Sequence, residues 1–312
     1  MKKTSLFHYL FALSLLLTFT ACKKDSKSED TDIATHADDQ SEVSAEVDAV
    51  ANDADIALES NSAFTGRFNG TGGINGTQGV ICDATVTVNT ASNPRTITIT
   101  YNDTNCLGTH FRTGVVVISM AQGVQWKNAG AAITVAFQNL KITRLRDNKS
   151  ITINGSQTYT NVSGGLLINI VALGTITHAI TSNGLSITFD NGSQRSWQVA
   201  KQRVYSFNGS GVLTTTGTHT DGNNTGIAEW GTNRFGGVFA TSIVEPLVVR
   251  QDCNFRLTSG KVKHTTPLVT GTATFGLNAN GEPTTCPGSG TYYFKIVWTG
   301  PNGNSITVIR PY

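Results

Sequence analysis

The chain has 312 residues, of which 38% are hydrophobic and 14% charged, with 32 glycines and 7 prolines. That supplies enough apolar material for a sizeable core, and it excludes intrinsic disorder or collagen-like repetition for most of the length. The net charge of +2 hides an asymmetry: residues 22–60 carry 3 Lys and 12 Asp or Glu, whereas residues 61–312 carry 18 Lys or Arg and 9 Asp or Glu, so an acidic leader precedes a basic body.

Lys2 and Lys3 precede an apolar run from Leu6 to Phe19, which ends in Thr20-Ala21-Cys22. A basic start, a short apolar stretch and a small residue before the break have the form of an export signal, here residues 1–21. The stretch is short for a membrane span. Phe19-Thr20-Ala21-Cys22 is similar to a bacterial lipobox, with Phe19 in place of the usual leucine, which marks Cys22 as the site of lipidation. Two or more acyl chains on Cys22 would give stable anchoring.

Residues 22–40 are nearly devoid of apolar side chains and are expected to form a disordered acidic tether. Across residues 41–60, Val43, Val47, Val50, Ala54 and Ala57 or Leu58 recur at three- and four-residue steps, which predicts one short amphipathic helix able to dock on the basic body.

From residue 61 to 312 the pattern changes to Thr, Val, Ile and Gly. Asn-Gly pairs begin at Asn69, Asn75, Asn154, Asn183, Asn191, Asn208, Asn280 and Asn302. Such pairs suit tight hairpin turns. Between them run alternating segments such as Thr96 to Tyr101, with Ile97, Ile99 and Tyr101 on one face. No helical period recurs after residue 60, so a parallel α/β sheet is excluded. The expected fold class is all-β: an antiparallel sandwich or roll of many hairpins, with an open barrel as a further option, preceded by a short N-terminal helix.

Four body cysteines fall in two similar contexts, a Cys opening a strand and a second Cys after the return strand. They predict disulfides Cys82–Cys106 and Cys253–Cys286 and two pseudo-repeated units, with related halves near residues 61–180 and 181–312. A zinc site would need closer Cys or His spacing.

No nucleophile–base motif, zinc-protease signature or phosphate loop occurs, so no enzyme activity, metal, cofactor or nucleic-acid partner is expected. His110, His178, His219 and His264 read as solvated strand or turn residues. Asp221 to Glu229 resembles the start of a calcium loop, but Thr232 stands at its twelfth position, and a hairpin turn accounts for the same residues. Three cation pairs with spacing two, Arg144 with Arg146, Lys201 with Arg203 and Lys261 with Lys263, each project from one face of a strand. With Trp126 and Trp230 they are the candidate contacts for anionic polysaccharide or lipid headgroups, against the plainer reading of a solvated sheet face. Trp197 and Trp298 read as core.

Several segments together carry a resemblance. These are Cys22-Lys23-Lys24-Asp25, Ala57-Leu58-Glu59-Ser60, Asn105-Cys106-Leu107-Gly108 with Arg112-Thr113-Gly114, Thr232-Asn233-Arg234-Phe235-Gly236, and Pro246 to Cys253. Through them the chain resembles the uncharacterised cell-envelope lipoproteins of Bacteroidota. The resemblance implies lipid anchoring at the outer membrane, on its periplasmic or cell-surface face, and brings no catalytic residues. The expectation is a membrane-anchored structural or ligand-binding β protein. The alternatives are a carbohydrate-active hydrolase with two strand carboxylates and a lipid-binding envelope chaperone.

Overall fold

The computed structural model describes residues 26–66, 81–267, 269–286, 290–300 and 303–312. The signal peptide, Cys22, and the Asn-Gly pairs at Asn69, Asn75 and Asn302 lie outside the described residues. The chain forms two compact units, Met1–Ala45 and Glu46–Tyr312.

A single helix, α1 (Ser26–Glu59), occupies the described part of the first unit and enters the second. Residues 26–40, expected as a tether, are therefore helical. This stretch holds no Gly or Pro. Once a segment is nucleated, each further residue adds a backbone hydrogen bond, so the helix extends well ahead of the apolar positions that revealed it. Within the second unit, Asn61 caps the one-turn helix α2 (Ser62–Thr65) by accepting from the Ala63 amide at 3.0 Å.

The strands are β1 (Ala84–Asn89), β2 (Arg95–Thr104), β3 (His110–Met120), β4 (Ala131–Arg144), β5 (Ser150–Asn161), β6 (Thr175–Phe189), β7 (Gln194–Phe207), β8 (Gly211–Gly217), β9 (His219–Asp221), β10 (Asn224–Thr232), β11 (Val238–Arg250), β12 (Arg256–Thr265), β13 (Thr270–Leu277), β14 (Tyr293–Thr299) and β15 (Ser305–Pro311). All belong to one antiparallel sheet in the order β1-β2-β3-β4-β5-β6-β7-β10-β11-β12-β13-β14-β15. The short strands β10 and β8 share one slot: β7 and β11 pair with β10 through one half of their length and with β8 through the other. Strands alternate in direction along the path, so the two edges, β1 and β15, run the same way. Among the described residues these edges do not pair, and the sheet is open.

The all-β antiparallel class thus holds, and both disulfides, Cys82–Cys106 and Cys253–Cys286, are present. Each closes the open end of a hairpin, β1–β2 and β12–β13. Strands β1 and β12 run in opposite directions along the path, so the two units are not a tandem translation. The boundary expected near residues 180 and 181 falls inside β6, because one continuous ladder of hydrogen bonds leaves no seam there.

Two expected hairpin turns are not turns. Asn154-Gly155 lies inside β5 and Asn183-Gly184 inside β6, where the pairing register slips. Gly114, Asn139, Gly155, Gly184 and Gly231, all at positive φ, line up across β3, β4, β5, β6 and β10, with Trp197 of β7 between the last two. At Gly114 (φ 110°) an added Cβ would meet the Asn139 carbonyl oxygen at 2.3 Å. A row of bulges bends strands and tightens twist, so it acts as a crease that curls the sheet. Asn-Gly serves a bulge as readily as a turn, because both require positive φ.

One face of β2–β7 is consequently lined by buried side chains, among them Ile97, Ile99, Val116, Ile118, Val135, Leu140, Ile153, Ile187, Trp197 and Val199. The segment Glu46–Glu59 of α1 lies on this inner face with Val47, Val50, Ala51, Ala54, Ala57 and Leu58 buried. Burying each Val or Leu side chain contributes about 1.5–3 kcal/mol. Beyond β10, the strands β12 to β15 are mostly only half-buried.

Candidate functional site: the charged layer between helix and sheet

The helix presents more than an apolar stripe. At about 100° per residue, Glu46 and Asp53 share one line along its surface. Asp48, Asn52, Asp55 and Glu59 share another, about 180–260° away measured across the apolar face. The buried apolar residues fill the arc between them. The first line reaches β3: His110 Nδ1 stands 3.5 Å from Glu46 Oε1, and Arg112 Nη1 donates to Asp53 Oδ2 at 2.9 Å. The second line reaches β6 and β7. One helix can touch both only because the creased sheet curls around it.

On the first side, Arg112 also donates through Nε and Nη2 to both oxygens of Asp83, at 2.5 and 2.7 Å. The Tyr101 hydroxyl donates to Asp53 Oδ2 at 2.9 Å, and the guanidinium lies 4.4 Å from the Tyr101 ring centroid. Burial raises the Asp53 carboxyl above its ordinary value despite the Arg112 charge.

On the second side, Lys201 Nζ pairs with Glu229 Oε1 at 2.7 Å and with Asp48 Oδ1 at 3.3 Å. Arg203 Nη2 pairs with Asp48 at 2.9 Å, and its Nη1 donates to Asn52 Oδ1 at 3.3 Å. Burial works to raise Asp48, but the charges and hydrogen bonds of Lys201 and Arg203 outweigh it and hold the carboxyl below its ordinary value. The Tyr205 hydroxyl donates to Asp55 Oδ2 at 3.1 Å, and Asp55 Oδ1 lies 3.8 Å from His178 Nδ1. Burial pushes Asp55 up to about 6, against the nearby Arg203 charge. Burial and that same charge push His178 down to about 4. Beneath them, the rings of Trp126 and Tyr205 each meet the His178 ring edge-on at 5.1 Å.

This layer sets five carboxylates, Asp48, Asp53, Asp55, Asp83 and Glu229, against three fixed cations, Arg112, Lys201 and Arg203. Breaking one such buried pair from one side costs about 3–5 kcal/mol. Chemically the layer is a clamp: each cation is already engaged, and Arg112 is shared by Asp53 and Asp83.

Several candidate contacts are therefore relocated. Lys201 and Arg203 do not face solvent; they share the inward parity of Trp197, Val199 and Tyr205 on β7. Trp126 is fully buried, and its carbonyl accepts from Asn161 Nδ2 at 2.8 Å. Arg144 is buried and held by Asp147 through two hydrogen bonds, at 3.0 and 2.7 Å. His178 is a core residue instead of a solvated one. Arg146 and Lys263 are exposed, and Lys261 pairs with Glu245 on a surface strand. Trp230 is half-buried and stacks on His219 at 4.0 Å. Asp221 and Asn224 flank the β9–β10 turn, while Glu229 belongs to Lys201, so the calcium reading gives way to the hairpin. Trp197 is core as expected, and Trp298 is half-buried with its ring over Gly271.

Sequence reasoning missed Asp48, Asp53, Asp55 and Arg112. A signal existed on β7, where two cations continue an apolar parity. Acids at i, i+7 and i+11 (Asp48, Asp55 and Glu59) beside the helix's apolar stripe were a second.

Among the described residues, no helix is long and apolar enough to cross a membrane. Neither a family model, nor a curated protein, nor a solved structure matches the chain.

Proposed function

We propose that the chain is an exported, acyl-anchored cell-envelope protein of the lipoprotein family it resembles, in which a rigid β body is carried on a helix built into that body, for structural or binding work and not for catalysis. The observation that carries this reading is the clamp on the second half of α1: Asp48 and Asp53 are gripped by Arg203, Lys201 and Arg112 from two sides of the sheet. A leader that only linked an anchor to a domain would need no buried ion pairs. Here the leader's own helix, described over Ser26–Glu59, ends as part of the core.

The clamp also weighs against the alternatives. A two-carboxylate hydrolase needs its acids on opposite sides of a substrate, whereas Asp53 and Asp83 share one guanidinium. A lipid carrier needs an emptied interior, and the inner face of β2–β10 is filled by the chain's own helix. Exposed Lys263 and Arg146, the latter beside Asp147, and the half-buried Trp230–His219 stack are the groups at the surface that would meet an anionic polysaccharide.

The test is membrane fractionation of Cys22→Ala with mass spectrometry of the wild-type N terminus. The reading expects diacylglycerol on Cys22 and transfer of the variant to the soluble fraction. Retention of the variant in the membrane would overturn the anchor.

A further inference from the structure

We propose that the β5–β6 connection, Val162 to Gly174, is an apolar wedge that inserts into the interfacial layer of a lipid bilayer, a contact separate from the anchor at Cys22. The sequence is Val-Ser-Gly-Gly-Leu-Leu-Ile-Asn-Ile-Val-Ala-Leu-Gly, without one charged residue. It forms a 3₁₀ turn (Leu167–Asn169) followed by the one-turn helix α3 (Ile170–Leu173). Ile168, Val171 and Leu173 expose 60%, 68% and 50% of their surface, and Val162 exposes 46%. Single exposed apolar residues are ordinary, but four large ones within thirteen consecutive positions form a patch that marks an interaction site.

The patch is held outward. Leu166 roots the segment in the core at 2% exposure. The Glu59 carboxylate, at the end of α1, accepts from the Leu167 amide at 2.6 Å and the Ile168 amide at 3.2 Å. Asn161 Nδ2 donates to the Gly165 carbonyl at 2.8 Å, and the Gly165 amide donates to the Lys127 carbonyl at 2.8 Å. A loop without these ties could turn its side chains inward and hide them. Pinned at the backbone, it pays the hydration cost of exposed hydrocarbon until an apolar medium removes it.

Charge selects the occupant. Lys127 is exposed at the root of the wedge, where its Nζ donates to the Gly66 carbonyl at 2.7 Å; neither its own loop, Ala121 to Gly130, nor residues 162–174 contains an acid, and the Glu59 carboxylate packed against the wedge is taken up by the Leu167 and Ile168 amides. An apolar tip with a cation at its base matches the layering of a bilayer surface, acyl chains below and anionic headgroups above. At the opposite end of the strands the exposed apolar residues are fewer per hairpin, Leu107 and Leu145 one each and Phe235 with Val238 on the β10–β11 hairpin, and Leu145 and Phe235 have charged sequence neighbours.

The test uses the full chain carrying Cys22→Ser, so that no acyl anchor contributes, in flotation with phosphatidylethanolamine–phosphatidylglycerol vesicles and with phosphatidylcholine vesicles. The wedge predicts binding that falls about fivefold or more in Ile168→Ser/Val171→Ser/Leu173→Ser and is unchanged in Leu107→Ser/Phe235→Ser. It also predicts that Lys127→Gln weakens binding to the anionic vesicles alone. An environment-sensitive fluorophore on Val171→Cys, read in the otherwise native wedge, should shift to the blue on vesicle addition. Equal flotation of the triple serine variant, or a label that does not shift, overturns the proposal. So does a wild-type dimer that the serine variant dissociates while vesicle binding stays the same, since a second copy would then be the occupant.

Discussion

Asp55 and His178 face each other across 3.8 Å between helix and sheet, and their proton affinities are displaced in opposite directions by the same burial. Asp55 rises from 3.8 to about 6, so the folded protein holds this proton more tightly than the unfolded chain, and its contribution to stability declines as the pH rises through that window. His178 falls from 6.5 to about 4, so its contribution declines as the pH drops through its own window. Over the shared range the two slopes oppose each other.

Removing one member should expose the other. Relative to wild type, Asp55→Asn is expected to gain stability as the pH rises from about 4 to about 6. The ceiling on that gain is about 1.4 kcal/mol per pH unit. His178→Gln should show the reverse trend against wild type. Urea unfolding at a series of pH values checks both, and parallel curves for all three proteins would refute the coupling.

Arg112 neutralises Asp53 and Asp83 together, so Arg112→Met should destabilise the body by about 3–5 kcal/mol, because two buried carboxylates lose their counter-charge. Adding Asp83→Leu to that variant should recover part of the loss, giving clear non-additivity in a double-mutant cycle. Strict additivity by chemical denaturation would mean that the pair does not act as a unit.

Gly114 and Gly192 both have positive φ, but a Cβ would meet the Asn139 carbonyl at Gly114 and open space at Gly192. Gly192→Ala should cost about 1–2 kcal/mol from backbone conformation alone. Gly114→Ala should exceed it by about 1–3 kcal/mol of steric conflict within the crease. Thermal melts of the two variants decide this, and equal losses would show that the bulge row tolerates a side chain.

The two disulfides close loops of 24 and 33 residues in sequence separation. Each is expected to stabilise the fold by about 3–4 kcal/mol, which replacement of either cysteine pair by alanine should remove. Thiol titration under denaturing, non-reducing conditions should find none of the four body cysteines reactive.

The fold was legible because strand alternation, tight-turn chemistry and cysteine spacing are local properties that survive in one dimension. Thr96 to Tyr101 announces its two faces without help from the rest of the chain, and Cys82 and Cys106 bracket a hairpin whose strands bring them together. The clamp was less legible. Lys201 and Arg203 have the spacing of a solvated cation pair, and nothing within several residues of them says that Asp48, far back in the leader, will be their counter-charge.

By itself, then, the sequence determined an antiparallel β protein with two hairpin disulfides and an amphipathic helix ahead of it. Tertiary structure alone decided which face of each strand is covered, that Asn154-Gly155 and Asn183-Gly184 bend strands instead of ending them, and that Asp48, Asp53 and Asp55 of α1 meet partners on the sheet. The physical reason is that period and propensity are set by neighbours along the chain, whereas burial and ion pairing depend on what a curled sheet brings into contact from a distance.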